Sequence, residues 1–337
     1  MPIDVHAHYI PPQLIAAVAE RGAKLGVRVI PSPGNAPPAL HFDYGFKARP
    51  FFPRLVEPVA QRLAWLDEQG IDVQIVGTWA DIFGYGLPRD ACIGWHRMLN
   101  DTLAEWCGEN RKRFAWIGSV PLIDAEAAAQ ELDRIAGLGA CGIIVSANVE
   151  DTNLGELPLD PFWRKAESLD LPVLIHPAMF VAAPRAAKFG LAQVVQYTFD
   201  TTFAVGSLLM TGVLDRFPRL KLVLSHGGGA YPYLAGRFDI MHTRMDKAAQ
   251  GDAAQKAPSS YAPMMVYDTI VHAPKPLRFL ADLVGVDRLV LGTDYSFPPA
   301  DLSPLASLKA AGFDAADTKK ITEDNPRRLF PRLNQRR

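Results

Sequence analysis

Short apolar runs recur along this chain of 337 residues, separated by longer stretches with helical periodicity. Eight of the runs read as strands: IDVHAH (3–8), VQIVG (73–77), FAWIGSV (114–120), CGIIVSA (141–147), PVLIHP (172–177), LKLVLSH (220–226), MVYDTIVH (265–272) and RLVLGTD (288–294). They are rich in β-branched residues and apolar at consecutive positions, the pattern of strands covered on both faces of a parallel sheet. Between them, DACIGWHRMLNDTLAEWC (90–107) places Cys92, Trp95, Leu99, Leu103 and Trp106 on one helical face. DAEAAAQELDRIAGLG (124–139) reads as a helix that ends on a glycine stop. DPFWRKAESLD (160–170) reads as another, with Asp160 as its N-cap and Pro161 just inside. Eight strands alternating with helices predict one (β/α)8 barrel, a TIM barrel, with residues 1–337 as a single domain. An open doubly wound sheet would carry a glycine-rich first strand-to-helix turn, and HAHYIPP is not one.

Two stretches interrupt the alternation. Residues 11–58 are too long for a simple strand–helix unit, and PSPGNAPPALHFDYG (31–45) within them has no clear element of its own. They read as an insertion after the first strand that distorts the barrel and covers the active-site mouth. The stretch AAQGDAAQKAPSSYAP (248–263) reads as a surface excursion.

Composition narrows the classes of function. The formal net charge of -1 gives no global attraction to nucleic acid or to an anionic membrane. No apolar run approaches the ~20 residues of a membrane-spanning helix, and the N-terminus lacks the pattern of a secretory signal. The 3 cysteines, Cys92, Cys107 and Cys141, are odd in number and widely spaced, so no disulfide framework is expected and a cytoplasmic location is.

The polar residues at the ends of the apolar runs carry the chemistry. His6 and His8 are two apart in an extended strand, so both imidazoles face the same side. His176 ends the fifth strand, His226 the sixth and Asp294 the eighth. The C-terminal ends of all barrel strands open on one face, where active sites are built, so these five donors converge. Imidazoles with a carboxylate suit zinc or a similar divalent ion, and no cysteine belongs to the set, unlike many structural zinc sites. Such an ion can acidify bound water or polarise a substrate oxygen. His226, one strand further round, is placed to exchange a proton with water or substrate. Trp79, Phe83, Tyr85 and Phe297 fall near strand ends, as candidates either for a flat pocket or for core. His272 is a further candidate, whereas His41, His96 and His242 read as structural or solvated.

The sequence resembles the amidohydrolase superfamily, and within it the branch of aminocarboxymuconate-semialdehyde decarboxylase and related aromatic-acid decarboxylases. The resemblance is carried by IDVHAHY, RPFFPRLVEP, LDEQGIDVQ, SVPLID, LIHP, SHGGGAYPYLAGRFD, LGTDYSFP and NPRRLF, over nearly the whole chain. It implies one divalent ion, zinc or manganese, held by His6, His8, His176 and Asp294, with no organic cofactor. Binuclear members carry a bridging lysine or glutamate at the end of the fourth strand, where this chain has Ser146 and Asn148, with Glu150 a weak substitute. The resemblance further implies non-oxidative decarboxylation of a small aromatic or muconate-type acid, with His226 and Asp294 handling protons. It implies a substrate carboxylate gripped by Arg49, and a homodimer in which Arg237 reaches the neighbouring subunit's pocket; Phe297, by its place near a strand end, is the aromatic candidate for the substrate pocket. Hydrolysis of a lactone or amide, or hydration of an unsaturated acid, would use the same donors and stays open.

Overall fold

The computed structural model describes residues 1–178, 183–244, 246, 251 and 253–335. Eight parallel strands follow one another round a single sheet in chain order. They are β1 (Ile3–His8), β2 (Val73–Gly77), β3 (Phe114–Gly118), β4 (Gly142–Ser146), β5 (Val173–His176), β6 (Leu222–Leu224), β7 (Val266–Asp268) and β8 (Leu289–Val290). The register puts His8 opposite Gly77 and Ser146 opposite His176, so the strand ends that carry polar residues lie at one level. The sheet closes between its first and last strands. Val5 N donates to Leu291 O at 2.9 Å, and Asp294 N donates to His6 O at 2.8 Å. The protein is a (β/α)8 barrel. Consecutive apolar positions in its strands are buried on both faces, which explains why the runs do not alternate with polar residues.

The helix Arg89–Glu109 buries Cys92, Trp95, Leu99, Leu103 and Trp106 against the barrel, the face expected from their spacing. Asp124 caps Ala125–Gly137 by accepting from Ala127 N at 2.8 Å. Asp160 is not a cap. It is the first residue of the helix Asp160–Ser168, and its carboxylate instead takes Arg216 Nη2 at 3.0 Å. The sequence around residues 31–45 does form an element: Ala39–Phe42 pairs antiparallel with Val27–Ile30. The hairpin survives without a strong strand signature because Phe42 packs its ring on Trp95, at 5.8 Å between centroids. The end of the 248–263 stretch is also not a surface excursion. Pro258–Met264 is a 3₁₀ segment whose Tyr261 is buried and donates its hydroxyl to Asp215 at 2.6 Å; residues 248–250 and 252 lie outside the described residues.

The last three strands are shorter than the apolar runs that encode them. Beyond each one the chain turns through a non-glycine residue in the left-handed region: His226 (φ 52°), His272 (φ 58°) and Asp294 (φ 53°). Such residues cost on the order of 1 kcal/mol and concentrate where function fixes the backbone. Among the described residues no helix is long and apolar enough to cross a membrane.

Candidate metal centre

His6, His176, His226 and Asp294 present ligand atoms that all lie within 4.8 Å of one another. His8 completes the group, its Nε2 3.1 Å from His6 Nε2 and 3.3 Å from Asp294 Oδ1. Five side chains from β1, β5 and the turns after β6 and β8 therefore meet at one point of the barrel mouth.

Three of the imidazoles are oriented alike. His6 Nδ1 faces Asp268 Oδ2 at 2.7 Å, His8 Nδ1 faces Thr78 O at 3.2 Å, and His176 Nδ1 faces Pro177 O at 2.7 Å. A carboxylate or carbonyl oxygen can only accept, so each Nδ1 carries the proton and each Nε2 turns a lone pair toward the centre. Two such lone pairs at 3.1 Å repel unless a cation or proton lies between them. His176 Nε2 and Asp294 Oδ1 are also buried without a hydrogen-bond partner among the described residues. Buried polar atoms are rarely left so, and the donor set fits a divalent ion.

The surrounding charges agree. Burial, followed by the neighbouring His8, His6 and His226, holds the His176 imidazole well below its ordinary range, so it stays neutral as a ligand must. Burial likewise lowers His8. Burial would raise Asp294, but the His226, His8 and His6 imidazoles around it hold it well below the carboxylate range. For His6 the order reverses. Burial disfavours its charged form, yet Asp268, Asp294 and Asp4 outweigh that and raise it.

Asp268, which the sequence reading passed over, organises the inner side of this cluster. Fully buried at the end of β7, it accepts from His6 Nδ1, from His226 N at 2.9 Å and from Gly227 N at 2.8 Å. The HGGG turn makes the last two bonds possible, since residues 226–229 all have positive φ. A Cβ at Gly229 would lie 2.1 Å from Thr198 O, so only glycine fits there. On the other side, the fully buried Arg62 donates Nη1 to His8 O at 3.0 Å and Nη2 to Ser296 Oγ at 2.9 Å, tying β1 to the turn that carries Asp294.

The end of β4 offers no second set of ligands. Ser146 Oγ donates to Asn148 O, Asn148 Nδ2 donates to Asp200 at 3.0 Å, and Glu150 is exposed.

A cavity of about 700 Å³ opens over the cluster and is lined by His176, His226 and Asp294. Phe52, Trp79 and Phe297 form an aromatic wall, with Phe52 edge-on to Phe297 at 5.4 Å and Phe297 4.9 Å from the His8 ring. Arg49 also lines it, its guanidinium 4.1 Å over the Phe52 ring, and among the described residues it forms no ion pair. Residues 46–49 and 52, all inside the 11–58 stretch, border the cavity, as does His272. Phe83 and Tyr85 are core, packed on the buried His96, whose Nδ1 meets Ser119 Oγ at 2.8 Å. His242 is buried against Ala254 O. Arg237 lies on the exposed face of the helix Tyr231–Arg244, outside the cavity of its own chain.

With this geometry in hand, comparison with known proteins is informative. The family model described as amidohydrolase matches residues 3–332. The chain belongs to the amidohydrolase family. Within that family it falls in the branch of the aminocarboxymuconate-semialdehyde decarboxylases. It is 35% identical over 246 residues to 2-amino-3-carboxymuconate-6-semialdehyde decarboxylase of Dictyostelium discoideum, covering 72% of this chain and 68% of that protein. It is 28% identical to gamma-resorcylate decarboxylase of a Rhizobium species, over 82% and 88% of the two chains. It is also 24% identical to 2-keto-4-carboxy-3-hexenedioate hydratase of a Sphingobium species, over 82% and 83%. Among solved structures, 5-carboxyvanillate decarboxylase of Sphingomonas paucimobilis superposes with a TM-score of 0.81 at 22% identity, covering 98% of each chain. A dihydroxybenzoic acid decarboxylase of a Polaromonas species, solved with manganese and 2-nitroresorcinol, superposes with a TM-score of 0.76 at 21% identity, over 99% and 97%.

Proposed function

We propose that this protein is a mononuclear, metal-dependent, non-oxidative decarboxylase of a small aromatic or muconate-type carboxylic acid. The observation that carries the reading is the inward set of Nε2 lone pairs on His6, His8 and His176, each fixed by an outward Nδ1–H. With Asp294 they are the ligands. When bound, the ion supplies Lewis-acid charge to the oxygens of an acidic substrate. Zinc suits three imidazoles and a carboxylate, and the manganese of the Polaromonas neighbour makes that ion the second choice. His226 stands apart from the ligands: its Nδ1 has no partner among the described residues, and its ring borders the cavity. It exchanges the proton, in concert with Asp294. The reaction replaces a carboxylate on carbon by a proton and releases CO2, so one positioned acid suffices. Arg49 pairs with the substrate carboxylate, while Phe297 and its aromatic neighbours hold the flat body of the acid. The 11–58 stretch closes the mouth. The three buried cysteines form no disulfide among the described residues, which suits a reducing cytoplasm.

The test uses the metal-loaded enzyme with a panel of hydroxylated, aminated and muconate-type acids in labelled bicarbonate. Release of CO2, with label exchanging into the substrate carboxylate, is the expected result. Addition of water or ring opening without CO2 release would overturn it in favour of a hydratase, the activity named for the Sphingobium relative, or of a hydrolase.

The enzyme works as a homodimer. Phe199 and Phe203 on the helix Tyr197–Met210, with Tyr233, Ile240 and Met241 on the adjacent Tyr231–Arg244, leave large apolar side chains exposed, Phe203 at 61% and Tyr233 at 83%. A patch of this kind is expected to be covered. Arg237 shares a helical face with Tyr233 and Ile240, so a two-fold contact over this patch carries it toward the partner's mouth. Mixing Arg237→Ala chains with His6→Ala chains should then restore one complete site per mixed dimer and recover activity that neither parent has. Mixed dimers that remain inactive would show that Arg237 does not act across the interface.

A further inference from the structure

Outside the cavity, a buried charged pair adjoins the ligands and takes no part in the chemistry proposed above. Arg62, on the helix Val59–Glu68, is fully buried, and Glu57 is 9% exposed. Every N–H of the guanidinium has an acceptor. Nε donates to Glu57 Oε1 at 3.1 Å, and Nη1 donates to His8 O at 3.0 Å and to Gln74 Oε1 at 3.2 Å. Nη2 donates to Arg54 O at 2.8 Å and to Ser296 Oγ at 2.9 Å. The full set of donors that an arginine carries is therefore in use. The rings of Tyr9 and Tyr295 stand against the guanidinium, each centroid 4.8 Å from Cζ. Both phenols donate to Glu57, Tyr9 to its backbone O at 2.9 Å and Tyr295 to Oε2 at 3.1 Å.

These contacts converge on residues that flank two ligands from opposite ends of the chain. Tyr9 follows His8, and Tyr295 and Ser296 follow Asp294. Ser296 Oγ also donates to His8 O, at 2.7 Å, so Arg62 and Ser296 meet on one carbonyl. Asp294 lies beyond the end of β8, in a turn with φ 53° at Asp294 and 139° at Ser296. Strand geometry alone therefore does not set the 3.3 Å between His8 Nε2 and Asp294 Oδ1. A buried ion pair is a poor source of stability, since apolar residues of similar volume often serve as well. Its best-attested use is to fix register.

We propose that Arg62 is a positioning residue for the metal centre: its guanidinium locks the His8 and Asp294 segments together, so that their ligand atoms stand at a fixed separation before the ion arrives. The inference rests on the reading of His8 and Asp294 as ligands, and not on which acid is turned over. Lysine at this position would keep a positive charge beside Glu57. Its compact ammonium has three donors for five acceptors, however, and no planar face for the two rings. Groups that orient metal ligands in this way are worth about 10- to 100-fold in metal affinity.

In the test, a chromophoric chelator competes zinc from the loaded full chain, and the visible spectrum of the cobalt(II)-loaded protein reports the ligand geometry. The wild type is compared with Arg62→Lys, Ser296→Ala and Leu132→Ala, the last a buried position on Ala125–Gly137 that does not line the cavity. Arg62→Lys should hold zinc about 10- to 100-fold more weakly than the wild type, with a shifted cobalt spectrum. Ser296→Ala should move both readouts the same way by less. Leu132→Ala should lower Tm while keeping the wild-type affinity and spectrum, which separates positioning from a general loss of stability. Wild-type affinity and spectrum in Arg62→Lys, or a centre weakened as much in Leu132→Ala, would overturn the proposal. If Arg62→Lys does not fold, Ser296→Ala decides: an unchanged centre there overturns the proposal, and a weakened, shifted one supports it. A wild type that takes up no divalent ion would overturn the ligand set and this inference together, an outcome distinct from failure of the clamp alone.

Discussion

The His176→Ala protein is expected to purify with almost no divalent ion, where the wild type carries about one per chain, and to release no CO2 above background. His176 contributes a lone pair that no other described residue uses, with its ring held by the Nδ1 bond to Pro177 O and by contacts with the His6, His8 and His226 rings. Alanine removes the ligand and leaves a hole among groups whose lone pairs face one another. The loss of packing should cost on the order of 2–4 kcal/mol, small against a barrel whose eight strands are buried along both faces. Circular dichroism should therefore report a folded protein with a lowered Tm, while elemental analysis reports the missing ion. A variant that keeps its metal would remove His176 from the ligand set. Two ions per wild-type chain would overturn the mononuclear assignment, which rests on Ser146 and Asn148 being engaged with neighbouring backbone and Asp200.

The convergence of these groups is legible in the sequence because barrel topology converts strand ends, distant along the chain, into neighbours. His6 and His8 could be paired by alternation alone, and His176, His226 and Asp294 by their place at the ends of apolar runs. What escaped was the support beneath them. Asp268 sits inside MVYDTIVH, and the available signal was physical: a carboxylate in a strand covered on both faces must have partners. Asp4, inside IDVHAH, is the same case, accepting from Thr293 Oγ1 at 2.6 Å and Gln74 Nε2 at 2.8 Å. Arg62 gave no such signal. On a helix with mixed polarity it reads as solvated, and only the tertiary fold buries it completely and turns it onto His8 O. The ends of β6, β7 and β8 were overestimated for a related reason. Apolar residues continue past the last ladder bonds because the turns at His226, His272 and Asp294 are themselves packed against the barrel, and a left-handed backbone leaves no trace in hydrophobic periodicity. The exposed Phe199 and Phe203 were illegible too, since which face of a helix remains uncovered depends on what surrounds it.

His226→Asn should retain its metal, bind a competent acid within a few-fold of wild type, and turn it over on the order of 10²–10⁴-fold more slowly, the usual worth of a positioned acid–base group. Three features distinguish His226 from the ligands. Its side chain is the most open of the five donors, 14% exposed against 0% for His6 and His8 and 4% for Asp294. Among the described residues its Nδ1 has no anchoring acceptor of the kind that fixes His6, His8 and His176. Its Nε2 stands 3.5 Å from Asp294 Oδ2, close enough to share a proton with it as the ring charges and discharges. Asparagine is the informative replacement because residue 226 has φ 52°, a conformation that asparagine adopts far more readily than most residues. The backbone bond from residue 226 N to Asp268 therefore survives, and the His6 ring keeps its orientation. An amide can still hydrogen-bond to a substrate, so binding is preserved, but it cannot gain and lose a proton near neutral pH. The slow step isolated in this way should be proton delivery to carbon, and it should show a larger solvent deuterium effect on kcat than the wild type. Loss of metal from the variant would make His226 a ligand, as its proximity to His6, His176 and Asp294 also permits. Retention of both metal and full turnover would leave Asp294 as the group that moves the proton.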